Sequence, residues 1–268
     1  MEMILPIFVF LFGLIIGSFL NVVAIRFNTG TNIGGRSRCM ACGKQLTWKE
    51  LIPIFSFLYQ KGRCLKCGSK ISWQYPLVEF VTGLLFVLIF LFYPPITSYG
   101  TYKLILLAIL SSILVVISVY DIKHKIIPDI LVYTFIILSF INLFVGINTW
   151  FQVPTVNGIL AGPILALPFA LIWLISKGTW MGFGDAKLVL GIGWLLGLGM
   201  GANSVILAFW IGALVSIAWL LINKGTIKPK TEIPFGPYLI LGMYIVLFTG
   251  LEVIDFGLLK EILSSLFV

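Results

Sequence analysis

Apolar residues in this chain are gathered into long unbroken runs instead of recurring with an amphipathic period. Eight such runs stand out, at approximately residues 4–25, 77–94, 103–120, 130–147, 157–176, 186–199, 203–223 and 235–251. A helix that crosses a bilayer needs roughly 20 apolar residues. The pattern therefore predicts an all-α polytopic membrane protein with about eight transmembrane helices. The sixth run is short and glycine-rich, so its limits are the least sharply marked. The one long polar stretch, residues 26–76, predicts a small loop domain between a first transmembrane helix (1–25) and a transmembrane core (77–268).

Composition fixes the bilayer as the chain's partner, because 60% of the 268 residues are hydrophobic and only 10% are charged. Charge then sets the expected orientation. The first apolar run follows Glu2 and meets no Lys or Arg until Arg26, so it reads as a retained helix with its N-terminus outside, not as a cleaved signal peptide. With that start, nine of the 18 Lys and Arg residues fall in the 26–70 loop on the cytoplasmic side. Lys123, Lys125, Lys177, Lys187, Lys224, Lys228 and Lys230 join them there, while Lys103 and Lys260 fall outside. Positive loops stay cytoplasmic, so the net charge of +8 is accounted for by topology and anionic headgroups. Nucleic acid is not an expected partner.

All four cysteines lie in the loop domain, as Cys39-Met-Ala-Cys42 and Cys64-Leu-Lys-Cys67, with Gly43 and Gly68 directly after each pair. Two C-x-x-C knuckles can wrap one tetrahedral ion, and the 21 residues between them lie just past the usual zinc-ribbon range. The basic residues Arg38, Lys44, Lys61, Arg63 and Lys66 favour thiolates, and a reducing cytosol disfavours disulfides. Zinc is therefore the expected ligand of a zinc-ribbon-like domain. Its role is structural, since four cysteines leave no open coordination position. A loop of this size has too small a core to fold unaided, and ligation would supply much of its folding free energy.

Acidic residues beside apolar runs carry the candidate chemistry. Asp185, in Gly182-Phe-Gly184-Asp185, could cap the helix that follows, and Asp129 after Pro128 invites the same reading at the start of the fourth run. Asp121 resists it, because it ends an apolar run where the helix dipole disfavours negative charge. In the deduced topology Asp121 and Asp185 both lie near the cytoplasmic face. The glycines at 182 and 184 would permit close approach of backbone or substrate. Two converging carboxyl groups share a proton, one serving as base toward water and the other as acid, which is the chemistry of aspartyl peptide hydrolysis. His124, the sole histidine, reads as an interfacial loop residue, and no H-E-x-x-H zinc motif occurs.

The segment from Asp121 to Ile127-Pro128-Asp129, with Gly182-Phe-Gly184-Asp185-Ala-Lys187, resembles the signature of the prepilin leader peptidases, which share G-x-G-D with presenilin-like proteases. Gly17-Ser-Phe-Leu-Asn21-Val, the paired C-x-x-C loop and Tyr75-Pro-Leu-Val-Glu79 are similar to bacterial members. The resemblance implies that Asp121 and Asp185 are the catalytic pair. It further implies cleavage after a glycine that ends the basic leader of type IV prepilins or pseudopilins, at the cytoplasmic face of the bacterial inner membrane. Such substrates serve type IV pili, protein secretion and competence. The resemblance also implies N-methylation of the new terminus with S-adenosylmethionine.

No glycine-rich nucleotide loop of the soluble methyltransferase kind is present, so the methyl-transfer expectation rests on the resemblance. Asn21, Arg26 and Glu79, at the cytoplasmic ends of the first two spans, are candidates for a cofactor or amine site. Glu79 has an equally good structural reading as a partner of Arg26 or a loop lysine, since an unpaired carboxylate in an apolar segment is costly. Lys187 could tune Asp185 or extend to headgroups. A transporter should place its acids near the midplane, often in two inverted halves, and here they cluster at one face. A zinc-bearing scaffold would leave Asp121 and Asp185 without a role. A peptidase lacking the methyltransferase, or a protease with another helical substrate, shares the chemistry.

Overall fold

Each of the eight apolar runs folds as a helix in the computed structural model, which describes residues 4–29, 34–146, 151–222 and 233–254. Glu2, Lys224, Lys228, Lys230 and Lys260, used in the orientation reading, lie outside the described residues. Among the described residues the elements are α1 (Ile4–Arg26), α2 (Phe55–Tyr59), α3 (Gln74–Phe92), α4 (Ser98–His124), α5 (Asp129–Asn142), α6 (Val156–Ser176), α7 (Phe183–Leu196), α8 (Leu198–Ile222) and α9 (Gly236–Thr249). No strand occurs among them; the nearest features are two isolated bridges in the loop domain.

Five helices, α1, α3, α4, α6 and α8, are long and apolar enough to cross a membrane. α2 belongs to the loop domain, and α5, α7 and α9 coincide with the remaining apolar runs but have only 14 residues each. At 1.5 Å per residue that is about 21 Å, less than a hydrocarbon core of roughly 30 Å. Many bulky apolar side chains of α1 and α8, such as Phe8, Phe12, Leu214 and Leu221, point outward. In water this would be a large apolar patch; on a spanning helix it is the lipid face.

The chain forms two compact units, residues 1–119 and 120–268. In the first, α1 packs on α3 through small residues. A Cβ on Gly13 would sit 2.7 Å from the Gly83 Cα, and one on Gly17 would sit 2.7 Å from the Glu79 Cα. Backbones at that separation admit no larger side chain, which is the usual way apolar helices gain contact without a hydrophobic driving force.

The loop domain of this unit is two copies of one turn. Cys39 N–H donates to the Lys44 carbonyl and Gly43 N–H to the Cys39 carbonyl; Cys64 with Ser69, and Gly68 with Cys64, repeat the pattern, all four bonds at 2.9 Å. Gly43 and Gly68 have φ of +67° and +71°, a conformation open to glycine at little cost. Buried Glu50 fastens the first knuckle, accepting from Lys44 Nζ at 2.8 Å and from the Thr47 N–H and hydroxyl at 3.0 Å. Lys44 and these Thr47 bonds hold its carboxyl below the usual range.

In the second unit α7 is the central element, contacting α5, α6, α8 and α9. Its glycines make this possible: a Cβ on Gly191 would overlap the Phe135 ring of α5, and one on Gly193 would lie 2.7 Å from the Gly162 Cα of α6. Centrality fixes the first turn of α7, and with it Asp185.

Candidate active site

Asp121 and Asp185 come together in the second unit. The last turn of α4 carries Asp121, which is 4% exposed, and the first turn of α7 carries Asp185, which is 8% exposed. Ile127 lies against both Gly184, next to Asp185, and Gly236, whose N–H bonds Asp121. Two buried carboxyl groups 64 positions apart in sequence are thus brought into one neighbourhood.

Each has a local reason for its place. Gly182 is the N-cap of α7 with extended backbone, which makes Asp185 the third residue of the helix. Its backbone N–H donates to the Gly182 carbonyl at 3.2 Å, and Gly182, not Asp185, holds the N-cap position that the sequence left open to the aspartate. Asp121 sits near the C-terminus of α4, where the dipole opposes it. The N-terminus of α9 offsets this: Gly236 N–H donates to Asp121 Oδ2 at 3.1 Å, bringing the positive end of another helix to the carboxylate.

Glycine is required on both sides of this site. A Cβ at position 236 would meet Asp121 Oδ2 at 2.7 Å, and one at 184 would meet the Ile127 Cβ at 2.8 Å. Ile127 also lies 3.4 Å from the would-be Cβ of Gly236, so one side chain in the α4–α5 connection packs both glycines. Gly236 was not singled out from the sequence. Its signal is Ile233-Pro234-Phe235-Gly236-Pro237 immediately before an apolar run, a pattern that leaves helix-start N–H groups available.

The other motif residues lie elsewhere. Asp129 is the first residue of α5 but makes no cap; Pro128 is the N-cap. It instead accepts Lys187 Nζ at 2.6 Å. The Lys187 ammonium also lies over the Tyr133 ring at 4.7 Å and the Phe183 ring at 5.2 Å. The lysine thus neither addresses Asp185 as a direct partner nor reaches freely for headgroups. His124 stacks on Tyr120 at 4.4 Å, one turn beyond the Asp121 side chain.

Family comparisons bear on both halves of the chain. Residues 11–93 match the Bacterial Peptidase A24 N-terminal domain, and residues 108–217 match the Type IV leader peptidase family. A Bacillus subtilis (strain 168) protein named Prepilin leader peptidase/N-methyltransferase is 34% identical over 250 residues, covering 92% of this chain and 95% of the relative. The chain belongs to the type IV leader peptidase family. Relatives of the same name from Pectobacterium carotovorum subsp. carotovorum and Xanthomonas campestris pv. campestris are 34% and 30% identical, over 86% and 91% of this chain and 88% and 91% of their own. No solved structure has significant similarity to the chain. Within this leader peptidase the two family matches cover the loop domain and the Asp121–Asp185 site respectively.

The four cysteine sulfurs of the leader peptidase lie within 4.8 Å of one another, and Cys39 Sγ is 3.9 Å from Cys67 Sγ. Tetrahedral zinc with 2.3 Å bonds to sulfur sets neighbouring sulfurs about 3.8 Å apart, so the donor set and spacing fit. Backbone N–H groups of Cys42 and Ala41, with the Ser69 hydroxyl, hold the Cys39 thiol down at about 6. At Cys42 the Lys44 N–H lowers the thiol, yet burial and the neighbouring sulfurs outweigh it and push the thiol to about 11. One thiolate is therefore ready and another waits for a cation.

Asn21, Arg26 and Glu79 each have hydrogen-bond partners within the protein. Asn21 is fully buried; its amide donates to the Gly17 and Tyr75 carbonyls and its oxygen accepts from Gln74. Arg26 donates to the Gly35 and Arg36 carbonyls. Glu79 accepts the Ile54 N–H at 2.8 Å. The partner expected for Glu79 was Arg26 or a lysine; a backbone N–H takes that place and ties the loop domain to α3.

Proposed function

We propose that this leader peptidase is a membrane aspartyl endopeptidase that removes the basic leader of type IV prepilins or pseudopilins after glycine and then methylates the new N-terminal amine. The observation that carries the peptidase is the burial of Asp121 and Asp185 beside the same Ile127 side chain, with Asp121 braced by the helix-start N–H of Gly236. One carboxylate takes a proton from water, whose oxygen bonds to the scissile carbonyl carbon. The protonated partner donates to the carbonyl oxygen. Collapse then breaks the C–N bond as a proton passes to the leaving amine. Burial excludes other water and strengthens every charge interaction in the site.

The bilayer placement follows from five spanning-length helices and from the substrate, whose cleavable bond joins a basic segment to an apolar helix. The finer topology comprises eight membrane helices, with the N-terminus outside and the site facing the cytoplasm of the inner membrane. In it α5, α7 and α9 are the shorter crossings, and Asp121 and Asp185, at the cytoplasmic ends of α4 and α7, lie at the depth of that bond. Domain limits of 1–25, 26–76 and 77–268 belong to the same reading.

Zinc would be held by Cys39, Cys42, Cys64 and Cys67 and would supply folding free energy to the loop domain, with no part in hydrolysis. S-adenosylmethionine supplies the methyl group. Asn21, Arg26 and Glu79, at the cytoplasmic ends of α1 and α3, are the candidates for the site of the methyl step. Incubating the purified enzyme with a prepilin and S-adenosylmethionine, followed by intact-mass measurement of the product, tests both activities. The expected product ends at the residue after the leader glycine and carries one added methyl. An uncut substrate refutes the peptidase, and a cut but unmodified product marks a peptidase alone.

A further inference from the structure

The two zinc knuckles have the same backbone bonds but differ in what their bridges hold opposite one another. In the first, Arg38 faces Gln45; in the second, Arg63 faces Lys70. Like charges directly opposed across an antiparallel pair are destabilising, and neither cation has an ion-pair partner among the described residues. Lys61 adds a third positive charge beside them. These three residues line a cleft of about 510 Å³ together with the apolar Phe57, Ile71 and Trp73. Phe57 and Trp73 stack at 4.8 Å, and Trp73 remains 73% exposed.

Position in the chain decides what such a cleft meets. Trp73 directly precedes α3, which is of membrane-spanning length, so the cleft opens at the level where a spanning helix enters the headgroup layer. Trp is the residue favoured at that level, and basic residues there draw anionic headgroups. A half-cationic, half-aromatic cleft matches an amphiphile better than it matches a free anion, which would leave the apolar wall unused.

We propose that Lys61, Arg63 and Lys70, with Phe57 and Trp73, form a binding site for an anionic phospholipid, the headgroup phosphate lying on the cations and the glycerol end against the rings. The bound lipid neutralises the opposed pair and fastens the second knuckle to the membrane surface. This inference does not depend on the peptidase reading.

Native mass spectrometry of the full-length protein, released from neutral detergent with added phosphatidylglycerol or phosphatidylcholine, tests it. The parent should retain one phosphatidylglycerol in preference to phosphatidylcholine, and Lys61→Gln/Arg63→Gln/Lys70→Gln should retain it roughly tenfold less or weaker still. Millimolar inorganic phosphate should leave the lipid in place. Equal retention by parent and variant, no preference between the two lipids, or displacement by phosphate alone would each overturn the proposal. Unchanged metal content and thermal midpoint show that the variant is folded. Should the triple variant fail that check, Lys61→Gln alone carries the comparison, with a smaller loss expected and equal retention overturning the site.

Discussion

Gly236 N–H and Asp121 Oδ2 are joined by a 3.1 Å hydrogen bond across 115 positions of sequence. The first residue of α9 thus supports a carboxylate that the dipole of its own helix α4 disfavours. Hydrogen bonds to charged groups are worth about 1.5–3 kcal/mol. Because a methyl at position 236 would press on the oxygen at 2.7 Å, Gly236→Ala should displace the carboxylate. Leader cleavage should fall roughly 10- to 100-fold in kcat/KM, with the protein still inserted. An unchanged kcat/KM would remove Gly236 from the site.

Gly184→Ala should act through packing. Its methyl would meet the Ile127 Cβ at 2.8 Å, and both atoms belong to short, stiff stretches of chain. Overpacking of this kind costs about 1–3 kcal/mol, so thermal unfolding in detergent should shift downward and cleavage should decline with it. Ile127→Gly removes that Cβ and should cost less stability in the Gly184→Ala background than in the parent; an equal cost in both would show that the contact is not the cause.

Lys187 and Asp129 should behave quite differently from the buried acids. Asp129 is largely exposed, and exposed ion pairs contribute about 0–1 kcal/mol. A double-mutant cycle of Lys187→Gln and Asp129→Asn on thermal stability should give coupling of that size or less. Cleavage should stay within a few fold of the parent. A coupling of several kcal/mol, or loss of cleavage in Lys187→Gln, would give the pair a role in the site itself.

Zinc occupancy should be pH-dependent with a definite sign. The Cys39 thiol titrates at about 6, so it is a thiolate at neutral pH and is reprotonated as pH falls through that value, while metal competes with protons at every sulfur. The purified protein should hold about one zinc per chain at pH 8 and release it progressively below about pH 6, read with a chromogenic chelator. Cys42→Ser should bind little at any pH. Metal-free parent protein at pH 8 would refute the site.

Much of the fold was legible because apolar run length is a strong signal. All eight runs became helices, with ends shifted by a few residues where local chemistry intervened. The apolar pattern breaks between the sixth and seventh runs at residues 200–202, among several glycines. The structure breaks at Gly197, with φ +80°, while Gly201 continues in α8 and makes room for Leu165. Composition alone does not separate a glycine that turns the chain from one that lets helices approach. Likewise, Asp121 and Asp185 were visible as costly acids, and the cysteines by their spacing. Gly236 was not, because its contribution is a backbone N–H, which leaves no side-chain mark. The Lys187–Asp129 pair was missed because it depends on how α5 meets α7, a register that the apolar pattern leaves open.

Asp121 and Asp185 are expected to act as one unit. Asn at either position keeps the shape of the side chain and removes its acid–base chemistry. The decisive measurement is the rate of leader removal from a prepilin by purified, membrane-inserted Asp121→Asn and Asp185→Asn proteins, followed by intact mass. Both should leave the substrate uncut while retaining the parental thermal midpoint and zinc content; processing at the parental rate by either one would contradict the shared site.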